Sequence, residues 1–307
     1  MASLTRLLII FLLVLDFLLT NSCTILFHNN TLANREKPVT QKIIALLTDY
    51  GNKDFYVGAM KGVIYSIYPE AIVVDITHQV TPYDIREGAL ILFRTEKEFP
   101  TGTIFVAVID PGVGTSRKPI VLLTLDGKYF VGPDNGIFNF VLQEAGVQKI
   151  YQIENPKWMR QAGVSKTFHG RDIFVPVAAH LAAGWPVEEV GPEIKDYLLL
   201  SSFPAVRDGN RIKGEVTAID HFGNVSLNIP VRLFKELDLK RGAELVVHLK
   251  EKKVRMKWVT TYGDLPEGKG MLLISSTGFL EIAVNRERAA GKYDIEIGDP
   301  LILEKLK

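Results

Sequence analysis

Two short loops hold the residue types that proton-handling chemistry needs. In Asp110-Pro111-Gly112-Val113-Gly114-Thr115-Ser116-Arg117, a carboxylate and a guanidinium flank a turn whose glycines let backbone approach a ligand closely. Such a pair fixes both charges and can orient a water molecule, or it can simply brace the loop. The second loop, Thr167-Phe168-His169-Gly170-Arg171-Asp172, offers His169, whose charge can change near neutral pH. The same histidine also fits a satisfied core position. Asp49, Asp75, Asp110 and Asp134 each end an apolar run, the last after a Gly-Pro step. Ligands of open α/β sheets gather outside the carboxyl ends of strands, so these acids are expected to line one crevice. The alternative reading of each is a helix cap or turn former.

Several chemistries are absent from the sequence. Gly112-Val113-Gly114-Thr115-Ser116-Arg117 starts like a dinucleotide loop but has arginine where the third glycine belongs, and no Gly-Lys-Ser/Thr phosphate loop occurs. There is no Gly-x-Ser-x-Gly elbow and no His-Glu-x-x-His. The single cysteine, Cys23, rules out an intramolecular disulfide and a cysteine-rich metal site. No metal and no cofactor are therefore expected. Lys+Arg 36 against Asp+Glu 35 gives a net charge of +1, which supplies no drive toward nucleic acid.

The elements that must position these loops follow from the apolar pattern. The chain of 307 residues, 47% hydrophobic, can bury a sizeable core and is long enough for two domains. From Lys42 short apolar runs alternate with helical stretches: strands at 43–47, 71–74 and 103–109, helices at 55–68 and 84–97, and a hairpin about Asp126-Gly127. This predicts an N-terminal α/β domain over 42–203 with a largely parallel sheet. After the turn cluster Asp208-Gly209-Asn210, short runs at 213–219, 225–229, 244–249, 254–259, 271–275, 280–284 and 300–303 predict a C-terminal all-β, barrel-like domain over 210–307.

The N-terminus has its own logic. Arg6 followed by the apolar stretch Leu7 to Leu19 reads as a signal peptide or membrane anchor over 1–23, and the polar residues 24–41 as a linker. Ser22 before Cys23 fits a lipoprotein cleavage box, whereas Thr20 is untypical of one. The expected location is exported or anchored by a membrane segment or lipid, and cytoplasmic if the true start lies further on.

Taken in order, several motifs resemble one family over Ile43 to the C-terminus. They are Thr48-Asp49-Tyr50-Gly51 with Asp54, Asp75-Ile76-Thr77-His78, the loop 110–117, Gly132-Pro133-Asp134-Asn135-Gly136, Phe168-His169-Gly170-Arg171-Asp172, Asp220-His221-Phe222-Gly223-Asn224 and Ser276-Thr277-Gly278-Phe279-Leu280. The sequence resembles the S-adenosyl-L-methionine hydroxide adenosyltransferases, relatives of the S-adenosylmethionine-dependent fluorinase and chlorinase. The resemblance implies an α/β domain followed by a β-barrel, and a homotrimer with sites between subunits. It also implies attack of water on C5′ of S-adenosylmethionine, the substrate, to give adenosine and L-methionine.

By the same resemblance Asp110, Arg117 and His169 handle the water. Asp49 accepts from the ribose hydroxyls with Asp54 in support, and Tyr83 packs beside the ribose. Asp220 pairs with the methionine ammonium, Ser276 binds near its carboxylate, and Phe222 with Asn224 holds adenine. Thr277 stands where the halogenases have arginine, which leaves the carboxylate's countercharge open. A positively charged sulfonium becomes neutral as it leaves, so a dry pocket favours the transition state. Two other activities use the same pocket, halide transfer to C5′ and binding of adenosine or S-adenosylmethionine without turnover. The first is opposed by Asp110, which repels a halide, and the second leaves the water-handling residues idle.

Overall fold

The computed structural model describes residues 42–200 and 204–306. The expected signal or anchor, the linker and Cys23 lie outside the described residues.

The first half is a sheet of six strands in the order β2-β1-β3-β5-β4-β6. The strands are β1 (Ile43–Thr48), β2 (Ile72–Thr77), β3 (Ile104–Val108), β4 (Pro119–Thr124), β5 (Tyr129–Pro133) and β6 (Val147–Gln152). β2, β1, β3 and β5 run parallel, while β4 is antiparallel to both β5 and β6. The central strands β1 and β3 are almost wholly buried, as expected for a sheet covered on both faces. On one face α1 (Tyr56–Ile67) and α4 (Val175–Ala182) pack Met60, Ile64, Val175 and Val177 against Ile44, Leu46 and Val106. On the other, α2 (Ile85–Glu96) and α3 (Asn139–Ala145) pack Leu92 and Val141 against Leu47, Phe105 and Phe130. The helix α2 begins where Asp84 accepts a hydrogen bond from the Glu87 amide, an N-cap that fixes where this helix leaves the site loops.

The second half is β7 (Val206–Asp208), β8 (Arg211–Ile219), β9 (Val225–Pro230), β10 (Glu244–Leu249), β11 (Lys252–Trp258), β12 (Gly270–Ile274), β13 (Phe279–Val284) and β14 (Pro300–Lys305). They run in the order β14-β10-β11-β12-β13-β9-β8-β7, and the β14–β8 pairing closes seven of them into a barrel. Alternate residues such as Val225, Leu227 and Ile229 point into its core. The short helices α5 (Val231–Lys235) and α6 (Ala289–Tyr293) cover its ends. The fold class expected from the sequence is the one found.

The two halves meet along α2. Arg86 near its start pairs with Glu215, and Arg94 near its end donates to Thr217 Oγ1 at 3.2 Å. Both partners lie on β8, which therefore runs alongside the helix from its beginning toward its end.

Candidate functional site

Asp110 leaves the buried strand β3 and meets Arg117 across the loop. Arg117 Nε lies 3.0 Å from each carboxylate oxygen and Nη2 lies 2.5 Å from Oδ2. The side chains are 5% and 9% exposed, so the pair is screened little by solvent. Arg117 Nη2 also reaches His169 Nδ1 at 2.6 Å, and the guanidinium rests over the Phe174 ring. An arginine can only donate, so Nδ1 is the acceptor and the ring proton of neutral His169 sits on Nε2. Burial and the Arg117 charge push His169 below the ordinary histidine value, which keeps it neutral.

Two glycines explain how the loops fit. Gly114, at φ +76°, lies where a β-carbon would come within 2.4 Å of the Lys166 carbonyl, so loop 110–117 packs directly on the segment before His169. A β-carbon on Gly170 would sit 2.6 Å from the Tyr50 hydroxyl. A side chain at Gly170 would therefore displace the Tyr50 hydroxyl. Asp172, fully buried, resists the upward push of burial through hydrogen bonds from Arg171 and Ser165 that hold it at about 2, and so anchors the turn Gly170–Phe174 that follows His169.

Asp49, at the end of β1, belongs to the same cluster, close enough to Asp110 to feel its charge. Burial raises its carboxyl, and Oδ2 accepts the Tyr83 amide at 2.9 Å. Tyr83 is held at φ +71° with its side chain 73% exposed, a conformation that costs a bulky residue energy and that clusters at functional sites. Asp54 is exposed in the bend before α1, beside the exposed Phe55 and Tyr56.

The four acids expected at strand ends have different settings. Asp75 lies inside β2, an edge strand, where it pairs with Lys61 at 2.6 Å and His78 at 3.1 Å. Asp134 is buried and accepts the Leu198 amide at 2.8 Å, so it ties down the chain beyond α4. Asp49 and Asp110 are the pair whose charges interact, while Asp134 lines a neighbouring cavity with Ser116 and Arg117.

The barrel carries a second set. Asp220, Phe222 and Asn224 line a cavity of about 540 Å³ with Tyr262, Val284, Arg286, Glu287 and Arg288. The Asn224 amide nitrogens, main chain and side chain, donate to the Asp220 carboxylate at 2.8 and 2.9 Å. Phe222 stands 72% exposed at the rim. Ser276 is not among the lining residues: it sits exposed in the turn 275–278, at the opposite end of the β12–β13 hairpin from Val284. Tyr262, Arg286, Glu287 and Arg288 escaped the sequence reading because turn residues carry no periodic signal.

Within one chain the two sets lie at opposite ends of α2. Asp49 binds Tyr83 just before the helix, whereas Arg94, about 14 Å from the helix start by helical rise, neighbours the Asp220 end of the barrel. Among the described residues no group of three His, Cys, Asp or Glu is placed to hold a metal ion. None of the described helices is long and apolar enough to cross a membrane.

Comparisons with known proteins converge on one family. The model described as the SAM hydroxide adenosyltransferase N-terminal domain matches residues 44–191, and its C-terminal counterpart matches residues 214–302. An (R)-S-adenosyl-L-methionine hydrolase of Salinispora tropica is 39% identical over 261 residues, 84% of this chain and 96% of that one. A fluorinase of an Actinoplanes species is 29% identical over 284 residues, 83% of this chain and 95% of that one. A crystal structure of an uncharacterized conserved protein from Thermotoga maritima superposes with a TM-score of 0.84 at 42% identity, covering 85% of this chain and all of that one. The chain belongs to the SAM hydroxide adenosyltransferase family.

Proposed function

We propose that this enzyme hydrolyses S-adenosyl-L-methionine to adenosine and L-methionine, with the (R) sulfonium epimer named for its hydrolase relatives as its substrate. The water oxygen bonds to C5′ while the C5′–S bond breaks, its electron pair staying on sulfur to leave the neutral thioether of methionine. The observation that carries the reading is the continuous Asp110–Arg117–His169 chain of hydrogen bonds at the end of β3. Asp110 orients the water and takes its proton as the new bond forms. Arg117 holds the carboxylate in place from one side, and His169, its Nδ1 occupied by Arg117, fixes the guanidinium rather than accepting the proton.

Substrate binding is assigned to Asp49, Asp54 and Tyr83 at the ribose and to Asp220, Phe222 and Asn224 in the barrel cavity. Ser276 is the weakest member, since its turn stands apart from that cavity. A homotrimer, in which one subunit's Asp49 face meets its neighbour's cavity, accounts for two half-sites at opposite ends of α2. The domain limits 42–203 and 210–307, and an exported or anchored N-terminus, complete the proposal. Mass determination of the native N-terminus tests the last point, with an intact Met1 and no lipid counting against export.

The test of the reaction is to incubate the purified chain with each epimer in ¹⁸O-water and separate the products. Adenosine carrying the label at its 5′ oxygen, formed from the (R) epimer, is expected. Absence of adenosine, or a 5′-halogenated nucleoside when halide is present, overturns the reading.

A further inference from the structure

Glu281 is a carboxylate where a barrel should have none. Along β13, Leu280, Ile282 and Val284 face the barrel core, so Glu281 points outward, yet it is only 6% exposed. It is covered by the turn Tyr262–Asp264 and lies near Arg94 of α2. A buried carboxylate is costly unless it is paired or hydrogen-bonded, and no ion pair within 4 Å is formed by Glu281 among the described residues. Its defined partner is the Tyr262 hydroxyl, which donates to Oε1 at 2.9 Å. Arg94 supplies a compensating charge without direct contact, its Nε buried and unpartnered.

Tyr262 is also a wall of the Asp220 cavity. Its turn is braced from the other side by Asp264, which accepts from the Thr260 amide at 2.9 Å and from the Thr261 hydroxyl at 3.0 Å. Asp264 therefore fixes the backbone of the turn, and Glu281 fixes the ring that the turn presents.

We propose that Glu281 is a positioning residue for the substrate: by accepting the Tyr262 hydroxyl it locks that ring against the Asp220 cavity and keeps the cavity shaped for the ligand before binding. The inference rests on the hydrolase reading and deepens its barrel half-site. A ring locked in advance loses less freedom on binding, so the effect falls on substrate affinity more than on the chemical step.

The experiment measures steady-state constants for the full chain with (R)-S-adenosyl-L-methionine, alongside thermal melting. Tyr262→Phe and Glu281→Ala are each expected to raise KM roughly tenfold, the scale of a lost hydrogen bond to a charged group, with kcat falling by less. The double variant is expected to be no worse than either single one, because both remove the same bond. Glu281→Gln keeps an acceptor oxygen and is expected to recover KM to within about threefold of the unaltered chain. A residue that merely stabilises the barrel would lower the melting temperature and leave KM unmoved. If Glu281→Ala fails to fold, Tyr262→Phe still decides, since its ring is 44% exposed and only the hydroxyl is removed. KM within twofold for Tyr262→Phe, additive losses in the double variant, or a Glu281→Gln no better than alanine each overturn the inference while the unaltered chain remains active. An unaltered chain that releases no adenosine overturns the hydrolase reading, and this inference with it.

Discussion

The α/β end of the molecule and the barrel end hold their polar residues in opposite ways. At the α/β end Asp110, Arg117 and His169 are buried or half-buried, joined to one another, and held in two packed loops, the first of which leaves a strand with no exposed residue. At the barrel end Asp220 and Phe222 are exposed around an open cavity, and among the described residues Asn224 ties the acid down. The difference matches the two tasks proposed for these residues. Orienting water against C5′ needs groups that do not reorganise, whereas admitting a nucleoside needs a mouth.

The largest expected effect strikes the buried end. Asp110→Ala is expected to lower kcat by ~10²-fold or more, the size of a positioned proton acceptor. His169→Ala should act through Arg117 and reach a similar ~10²-fold loss, with His169→Asn, which keeps an acceptor, losing less. Both variants are expected to fold, Asp110→Ala with a lowered melting temperature because it leaves the buried Arg117 charge unpaired. Steady-state kinetics decide: near-normal turnover in both would move the chemistry away from this cluster and erase the contrast between the two ends.

The next effect tests whether the ends of different chains meet. Asp110→Ala and Asp220→Ala proteins, each inactive alone, are mixed under conditions that let subunits exchange. In randomly mixed trimers about a quarter of the sites are intact at both positions, because each site in a ring interface draws on two neighbours. Activity rising to that fraction of the unaltered enzyme is expected. No recovery despite exchange, shown by mass spectrometry of the assembly, would place both halves of the site in one chain.

A smaller change is expected at the rim between them. Asp49→Ala should raise KM about tenfold and lower kcat modestly, since the proposed ribose contact would also set the approach of C5′. An unchanged KM would remove Asp49 from the site and leave its bond to the strained Tyr83 as its whole role.

Much of this arrangement was legible before any coordinates. Central strands announce themselves as unbroken apolar runs, and the barrel strands as short runs between turn residues, so the fold class followed. Less visible were α4, apolar on nearly every side and thus without helical periodicity, and β6, an edge strand with mixed burial. Asp75 was misread as a strand end because an edge strand tolerates a paired acid in its middle. Asp110, Arg117 and His169 were legible because glycine-rich loops flag close packing. Glu281, Tyr262 and Arg94 were not, since Tyr262 meets Glu281 only in the folded barrel and Arg94 nears them only when α2 lies on it.

The smallest expected effect concerns pH, and it separates the buried end from solvent most finely. His169 is pushed below its ordinary value of 6.5 first by burial and then by the Arg117 charge, while Asp110 and Asp172 pull the other way. Its folded value is lower than its unfolded one, so the unfolded chain binds the extra proton first. The stability and the Arg117 contact that depend on neutral His169 are present above the unfolded value and are lost as pH falls through the folded one. At pH 6.5 an ordinary histidine would be half protonated and would halve kcat/KM. Here the loss at that pH is expected to be less than about twofold, with the acid limb displaced downward. In His169→Asn that limb should vanish, since asparagine does not titrate, even though the rate is lower throughout. An acid limb centred at 6.5 or above would show that this histidine is hydrated in solution. A limb that survives in the asparagine variant would belong to another group, leaving His169 a brace for Arg117 without a titration of its own.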